Sequence, residues 1–117
     1  MDETNISFYL RTNKIHIFIE ALKKIGKPHR ICFMLDKTGE SLLLVPYEKA
    51  DFISHKVPAG IYNGKTDMDV SSMKLCRILA NRLNWDTDFS YRVPGVVLAD
   101  KNVIKYDLTK AEKIPRN

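Results

Sequence analysis

Hydrophobic and polar positions alternate along the start of the chain, with Ile6, Phe8 and Leu10 separated by Ser7 and Tyr9, which predicts a first strand over residues 6–10. Thr12-Asn13 supplies a turn, and Lys14 to Ile17 resumes an extended pattern with Ile15 and Ile17 on one side, Lys14 and His16 on the other. At Phe18 the period changes. Phe18, Ala21, Leu22 and Ile25 recur at helical spacing, while Glu20, Lys23, Lys24 and Lys27 fall on the opposite face, and Gly26 with Pro28 ends the helix. Arg30 to Leu35 is apolar on both faces, so it is expected to be buried on both sides. The loop Asp36 to Glu40, with Gly39 available for positive φ, turns the chain into a partner strand, Leu42 to Val45, that stops at Pro46.

The second half is less regular. Phe52 to Val57 predicts a short strand closed by Pro58, and residues 59–69 form an irregular stretch containing the turn signal Asn63-Gly64. A second helix is predicted from Ser72 to about Asn84, capped by Ser71, with Val70 and Leu75 as a hydrophobic staple. Its buried stripe is Cys76, Leu79, Ala80 and Leu83, and Lys74, Arg77, Asn81 and Asn84 align opposite, with Trp85 covering the core just beyond. Phe89 to Leu108 reads as strands separated by Pro94-Gly95 and by Asp100-Lys101-Asn102, and the tail from Thr109 is expected to fray. These elements describe an α+β fold, a small mixed single domain of two short helices and mainly antiparallel hairpins spanning residues 1–117. Both halves run helix, strand, turn, strand, which suggests a pseudo-repeat of 14–58 and 70–108, with a short echo between residues 51–58 and 88–94.

Composition narrows the class. A chain of 117 residues with 44% hydrophobic content can bury one ordinary core without staples. Cys32 and Cys76 lie in apolar segments, and two cysteines make no disulfide framework, so both are expected to be reduced and the protein cytoplasmic. The polar, acidic start is unlike a signal peptide, and no run has the length of a membrane span. The formal net charge is +5, and it is clustered: between Arg11 and Arg30 six basic residues stand against one acid, Glu20.

Catalytic motifs do not hold. Ala59 to Thr66 fits a relaxed phosphate-loop pattern, but that loop needs its lysine and threonine at a helix N-terminus, and Asp67 and Asp69 follow instead. His29 and Cys32 are a lone short pair where zinc sites use two, and Cys32 in an apolar strand lacks an activating neighbour. No enzyme activity, metal or cofactor is expected.

What remains is the basic surface. Arg11, Lys14, Lys23, Lys24, Lys27 and Arg30 are of the type that contacts phosphates, and Lys74, Arg77 and Asn81 on the second helix are of the type that reads base edges in a major groove. The stretch Lys14-Ile15-His16-Ile17-Phe18-Ile19-Glu20-Ala21-Leu22-Lys23-Lys24-Ile25-Gly26, followed by a strand, a glycine-containing hairpin and a strand ending at Val45-Pro46, resembles the N-terminal domain of AbrB-type transition-state regulators. The related MazE-type antitoxins share that pattern. Phe18 stands where that family places a proline, and Thr12-Asn13 where it places a glycine. The resemblance implies a swapped-hairpin-like fold, a homodimer or a single-chain pseudo-dimer, and double-stranded DNA as the partner. The alternative function is a protein-binding inhibitor or accessory module, using sheet edges and the basic face on an acidic protein partner.

Overall fold

The computed structural model describes residues 3–49, 51, 53–58, 60–64, 66–98 and 100–114. Nine strands form one sheet: β1 Glu3–Tyr9, β2 Lys14–Ile17, β3 Arg30–Leu35, β4 Ser41–Pro46, β5 His55–Lys56, β6 Met68–Ser71, β7 Ser90–Leu98, β8 Val103–Asp107 and β9 Glu112–Ile114. Helix α1, Ile19–Lys24, follows β2, and helix α2, Met73–Leu83, follows β6. The strand order is β5-β3-β4-β8-β7-β1-β2-β6, every ladder is antiparallel, and the sheet curls into a nearly closed barrel with β5 and β6 at its two ends. The α+β class with mainly antiparallel strands and two helices is therefore as expected from the sequence.

Alternation drives the core. Ile6 and Phe8 of β1, Ile15 and Ile17 of β2, Leu42 and Leu44 of β4, and Ile104 and Tyr106 of β8 all point inward and are fully buried. Leu22 of α1 and Leu79 of α2 close over them from the helices. Each fully buried aliphatic side chain contributes roughly 1.5–3 kcal/mol, which makes this interior the main source of stability. Gly95 is part of the same arrangement, because it sits directly opposite Tyr106 and its missing side chain leaves room for the ring.

Several expectations need correction. Met68 and Asp69, expected to be irregular, and Val70 and Ser71, expected at the helix entry, together form a strand in which Met68 and Val70 are buried and Asp69 and Ser71 exposed. The helix cap is Ser72, not Ser71: its Oγ accepts from Leu75 N at 3.2 Å, and Asn84 ends the helix in the left-handed conformation at φ 58°. Pro94-Gly95 does not divide a strand. β7 runs through it with Tyr91, Val93, Gly95 and Val97 inward, because Pro94 lies where the outer partner of β7 changes from β9 to β8. The expected strand over 52–57 shrinks to His55–Lys56, since Asp51 and Ser54 fold the preceding residues into a turn, with Ile53 N donating to Asp51 Oδ1; Phe52 lies outside the described residues. The tail does not fray over 108–114. Leu108 is buried in a 3-10 turn and β9 pairs with the first third of β7, whereas residues 115–117 lie outside the described set. Finally, β3 is not buried on both faces, since Met34 is 53% exposed where β5 no longer covers its neighbour.

The order strand, helix, strand, strand occurs at Lys14–Pro46 and again at Met68–Asp107, boundaries that differ from 14–58 and 70–108. The ladders obey the same exchange. β2 pairs with β6 from Lys14–Ser71 to Ile17–Met68, so swapping the two strands returns the same ladder. β4 pairs with β8 through Leu42–Tyr106 and Leu44–Ile104, again self-complementary. Phe33–Leu44 between β3 and β4 corresponds to Gly95–Tyr106 between β7 and β8, and Ile31–His55 corresponds to Val93–Ile6.

Candidate nucleic-acid interface

The β1–β2 turn and α2 meet although some sixty residues separate them in sequence. Ser72 N donates to Asn13 O at 3.0 Å, which docks the start of α2 on the turn. A shallow depression lined by Leu10, Asn13, Cys76, Arg77, Ala80 and Thr87 continues into one along Asn81, Asn84 and Trp85. Asn13 takes φ 55°, a conformation that asparagine tolerates better than most residues, and this turns Arg11 and Lys14 outward on either side of it. Arg11, Lys14, Arg77 and Asn81 are all exposed, so one polar and cationic surface runs from the turn along the helix.

Its far wall is built on Trp85. The indole stacks on Tyr91 with ring centroids 4.5 Å apart and planes 7° from parallel, and Phe8 packs against it at 5.6 Å. Tyr91 Oη accepts from Asp86 N at 2.8 Å, fixing the chain just past the helix. Asn84 belongs to this terminus as the left-handed cap, so the helical polar face is Lys74, Arg77 and Asn81 without it.

The other basic residues sit elsewhere. Lys23 lies on α1 within 3.6 Å of Glu20, Lys24 is exposed beside it, and Lys27 follows at φ 52°. Arg30, half-buried on β3, is engaged by Ser54, whose Oγ accepts from its Nε at 2.9 Å. The structure thus divides the set into a group around α2 and a second group on α1.

Between them lies the outward face of the β2–β6 ladder, which is not simply basic. His16 Nδ1 is 2.8 Å from Asp69 Oδ1 and His16 Nε2 is 3.1 Å from Asp67 Oδ2, so the imidazole bridges two carboxylates. Tyr9 and Phe18 meet its ring edge-on. Asp67 has a further role: its Oδ1 accepts from Ile19 N at 2.8 Å, supplying the cap that Phe18 cannot give α1. No local pattern announces this capping partner, because it comes from 48 positions away.

Both thiols are buried and held in the protonated form. Burial pushes the Cys76 thiol up to about 11 and raises that of Cys32, so neither supplies a thiolate near neutral pH. Among the described residues no group of three His, Cys, Asp or Glu side chains is placed to hold a metal, and no helix is long and apolar enough to cross a membrane. The described part of the phosphate-loop-like segment is a 3-10 turn, Ile61–Asn63, leading to β6 and not to a helix. No family model, curated protein or solved structure matches the chain.

Proposed function

We propose that the chain is a small cytoplasmic DNA-binding regulator or antitoxin-like protein, a single-chain counterpart of swapped-hairpin dimers of the AbrB and MazE type. The observation that carries this reading is the twofold exchange of the strand ladders, which brings a strand-helix unit from each half to either side of the β2–β6 pair. The hairpin of the first half also reaches the helix of the second, since a side chain at Gly39 would meet Arg82 Nη1 at 2.7 Å. Interleaving of this kind is what a duplication of a swapped-hairpin subunit would produce.

In this proposal Arg11, Lys14, Lys24, Lys74 and Arg77 contact phosphates, and Asn81 faces the bases. The carboxylates of Asp67 and Asp69 lie between the two groups of cations, hydrogen-bonded to His16. Five phosphate contacts imply a log–log salt slope of about −4.5, or about 500-fold weaker binding between 50 and 200 mM salt. Fluorescence anisotropy with a labelled random duplex measures this slope. Changing Lys14, Lys23 and Lys24 together to Glu removes two of these contacts and adds three negative charges, and should abolish the anisotropy change at low salt; equal binding by parent and triple variant would remove Lys14 and Lys24 from the site. An Arg11→Glu, Arg77→Glu pair tests the α2 group in the same way.

A second reading, a protein-binding inhibitor or accessory module, is favoured by a different feature, the apolar groove at the open end of the sheet.

A further inference from the structure

Four of the five large hydrophobic side chains that the described residues leave exposed belong to β3, the turn before β5, and α2, which follows β6. Met34 is 53% exposed, Met73 52%, Ile53 49% and Ile78 38%. Three of them, Ile53, Met73 and Ile78, line a groove of about 480 Å³ together with Phe33, His55 and Leu75. That volume is within the usual range of ligand sites, and single exposed hydrophobics would not cluster in this way by default.

The groove marks the place where the barrel fails to close. β5 pairs with β3 on one edge and β6 pairs with β2 on one edge, and among the described residues neither has a partner on the other. The exchange that relates the two halves says what belongs there. Ile6 of β1 corresponds to His55 of β5, and Ile17 of β2 corresponds to Ser71 of β6. Ile6 and Ile17 are ladder partners, so the first half is sealed by direct pairing of β1 with β2. His55 and Ser71 instead both line the groove. β1 is seven residues long and β5 only two, so among the described residues no strand pairs with the outer edge of β3 from Cys32 onward. Unpaired strand edges of this kind take up added strands.

Charge selects the occupant. Lys74 lines the groove, Lys56 is exposed on β5, and Arg30 lies opposite it on β3. Glu20 and Glu112 belong to other elements, Asp69 of β6 is hydrogen-bonded with Asp67 to His16 of β2, and Asp51, on the turn before β5, is taken by Tyr47 Oη at 3.0 Å and Ile53 N at 3.1 Å.

We infer that the seam between β5 and β6 is a docking site for an extended segment of a partner protein, one with alternating apolar residues and an acidic flank, which adds as a strand. The segment's apolar side chains enter between Phe33, Met73 and Ile78, and its acids meet Lys56 and Lys74. This site does not depend on the DNA reading, since its groove is lined by Met73, Leu75 and Ile78 of α2 while Arg77 and Asn81 line a separate depression, and the two surfaces share Lys74 alone among the α2 residues named for DNA.

The chain itself provides a probe. A synthetic peptide of residues 2–9, Asp-Glu-Thr-Asn-Ile-Ser-Phe-Tyr, has the acidic flank and the alternation, and its sequence fills the corresponding position in the first half. Titrated into ¹⁵N-labelled protein, it should give saturable shifts at Phe33, Met34, His55, Ser71 and Met73, with Kd below about 1 mM. The Met73→Glu, Ile78→Glu variant changes exposed side chains, so it should keep the dispersed spectrum of the parent and weaken binding at least tenfold. A peptide with Lys in place of its Asp and Glu should bind several-fold more weakly. Absence of saturable shifts up to about 2 mM, or identical binding by the double variant, overturns the proposal. Shifts confined to the Arg77–Asn84 surface overturn it equally.

Discussion

Replacing Gly95 with Ala tests whether the barrel interior is as tightly fitted as its geometry implies. A β carbon at this position would lie 2.5 Å from Tyr106 Cδ1, 2.9 Å from Cε1 and 3.0 Å from the Lys105 carbonyl oxygen. Carbon atoms are most favourable at about 3.5–4.0 Å, so the ring would have to move by about 1 Å. It has nowhere to go. Tyr106 is fully buried and cross-strand from Leu42, itself fully buried, and β7 is pinned between β1 and β8. Overpacking in such a setting costs about 3 kcal/mol, and the loss of glycine freedom in the unfolded chain returns about 1, leaving a net destabilisation of about 2 kcal/mol. With an m-value of about 1.5 kcal/mol/M, urea denaturation should show a midpoint lower by about 1.3 M and an unchanged slope. The contact is pairwise, so in a Tyr106→Val background Gly95→Ala should cost much less. A stability within about 0.5 kcal/mol of the parent, or the same loss in both backgrounds, would refute the claim that Gly95 exists to seat the ring.

Two further predictions concern buried groups. The Tyr106 hydroxyl is buried with no hydrogen-bond partner among the described residues, and burial also drives its ionisation far above the ordinary phenol range. Tyr106→Phe should therefore raise stability by about 1 kcal/mol in the same urea assay, and a loss would mean that the hydroxyl is satisfied by a bound water. His55 is held below its ordinary value, first by burial and then by the Arg30 charge. The unfolded chain protonates this residue first, so the neutral form stabilises the fold above about pH 6.5 and that contribution fades as pH falls through 6.5 towards the folded value. Thermal melts from pH 7.5 to 5 should show a steeper decline in the parent than in His55→Gln, and parallel curves would remove His55 as a cause.

Local signals account for much of the first half. The alternation of Ile6 and Phe8, the helical recurrence of Ala21, Leu22 and Ile25, and the left-handed Gly26 specify β1, α1 and its end without help from distant residues, because each is a contest between neighbouring side chains and water. Helix α2 with Cys76 and Leu79 inward is legible for the same reason. β6 carries the same kind of signal, Met68 and Val70 against Asp69 and Ser71, but over four residues it competes poorly with the surrounding turn formers. β9 has no alternation to see: it forms because the first third of β7 has an edge left open by β8.

The sequence by itself determined the α+β class, the two helices, the hairpins and the inventory of exposed cations, since those follow from periodicity and solvation along the chain. Only the tertiary structure decided where the cations stand. It set the Arg11–Lys14 turn against the start of α2, kept Lys24 on the other helix with Lys27 just past its end, tied Arg30 to Ser54 and placed Asp67 and Asp69 around His16. Ladder pairing between segments more than fifty positions apart makes those choices, as in Lys14 with Ser71, and no local pattern encodes which strand a given strand will meet. The open seam belongs to the same class of fact, because it is the absence of a partner for β5 and β6 among the described residues that leaves Met73 and Ile78 exposed.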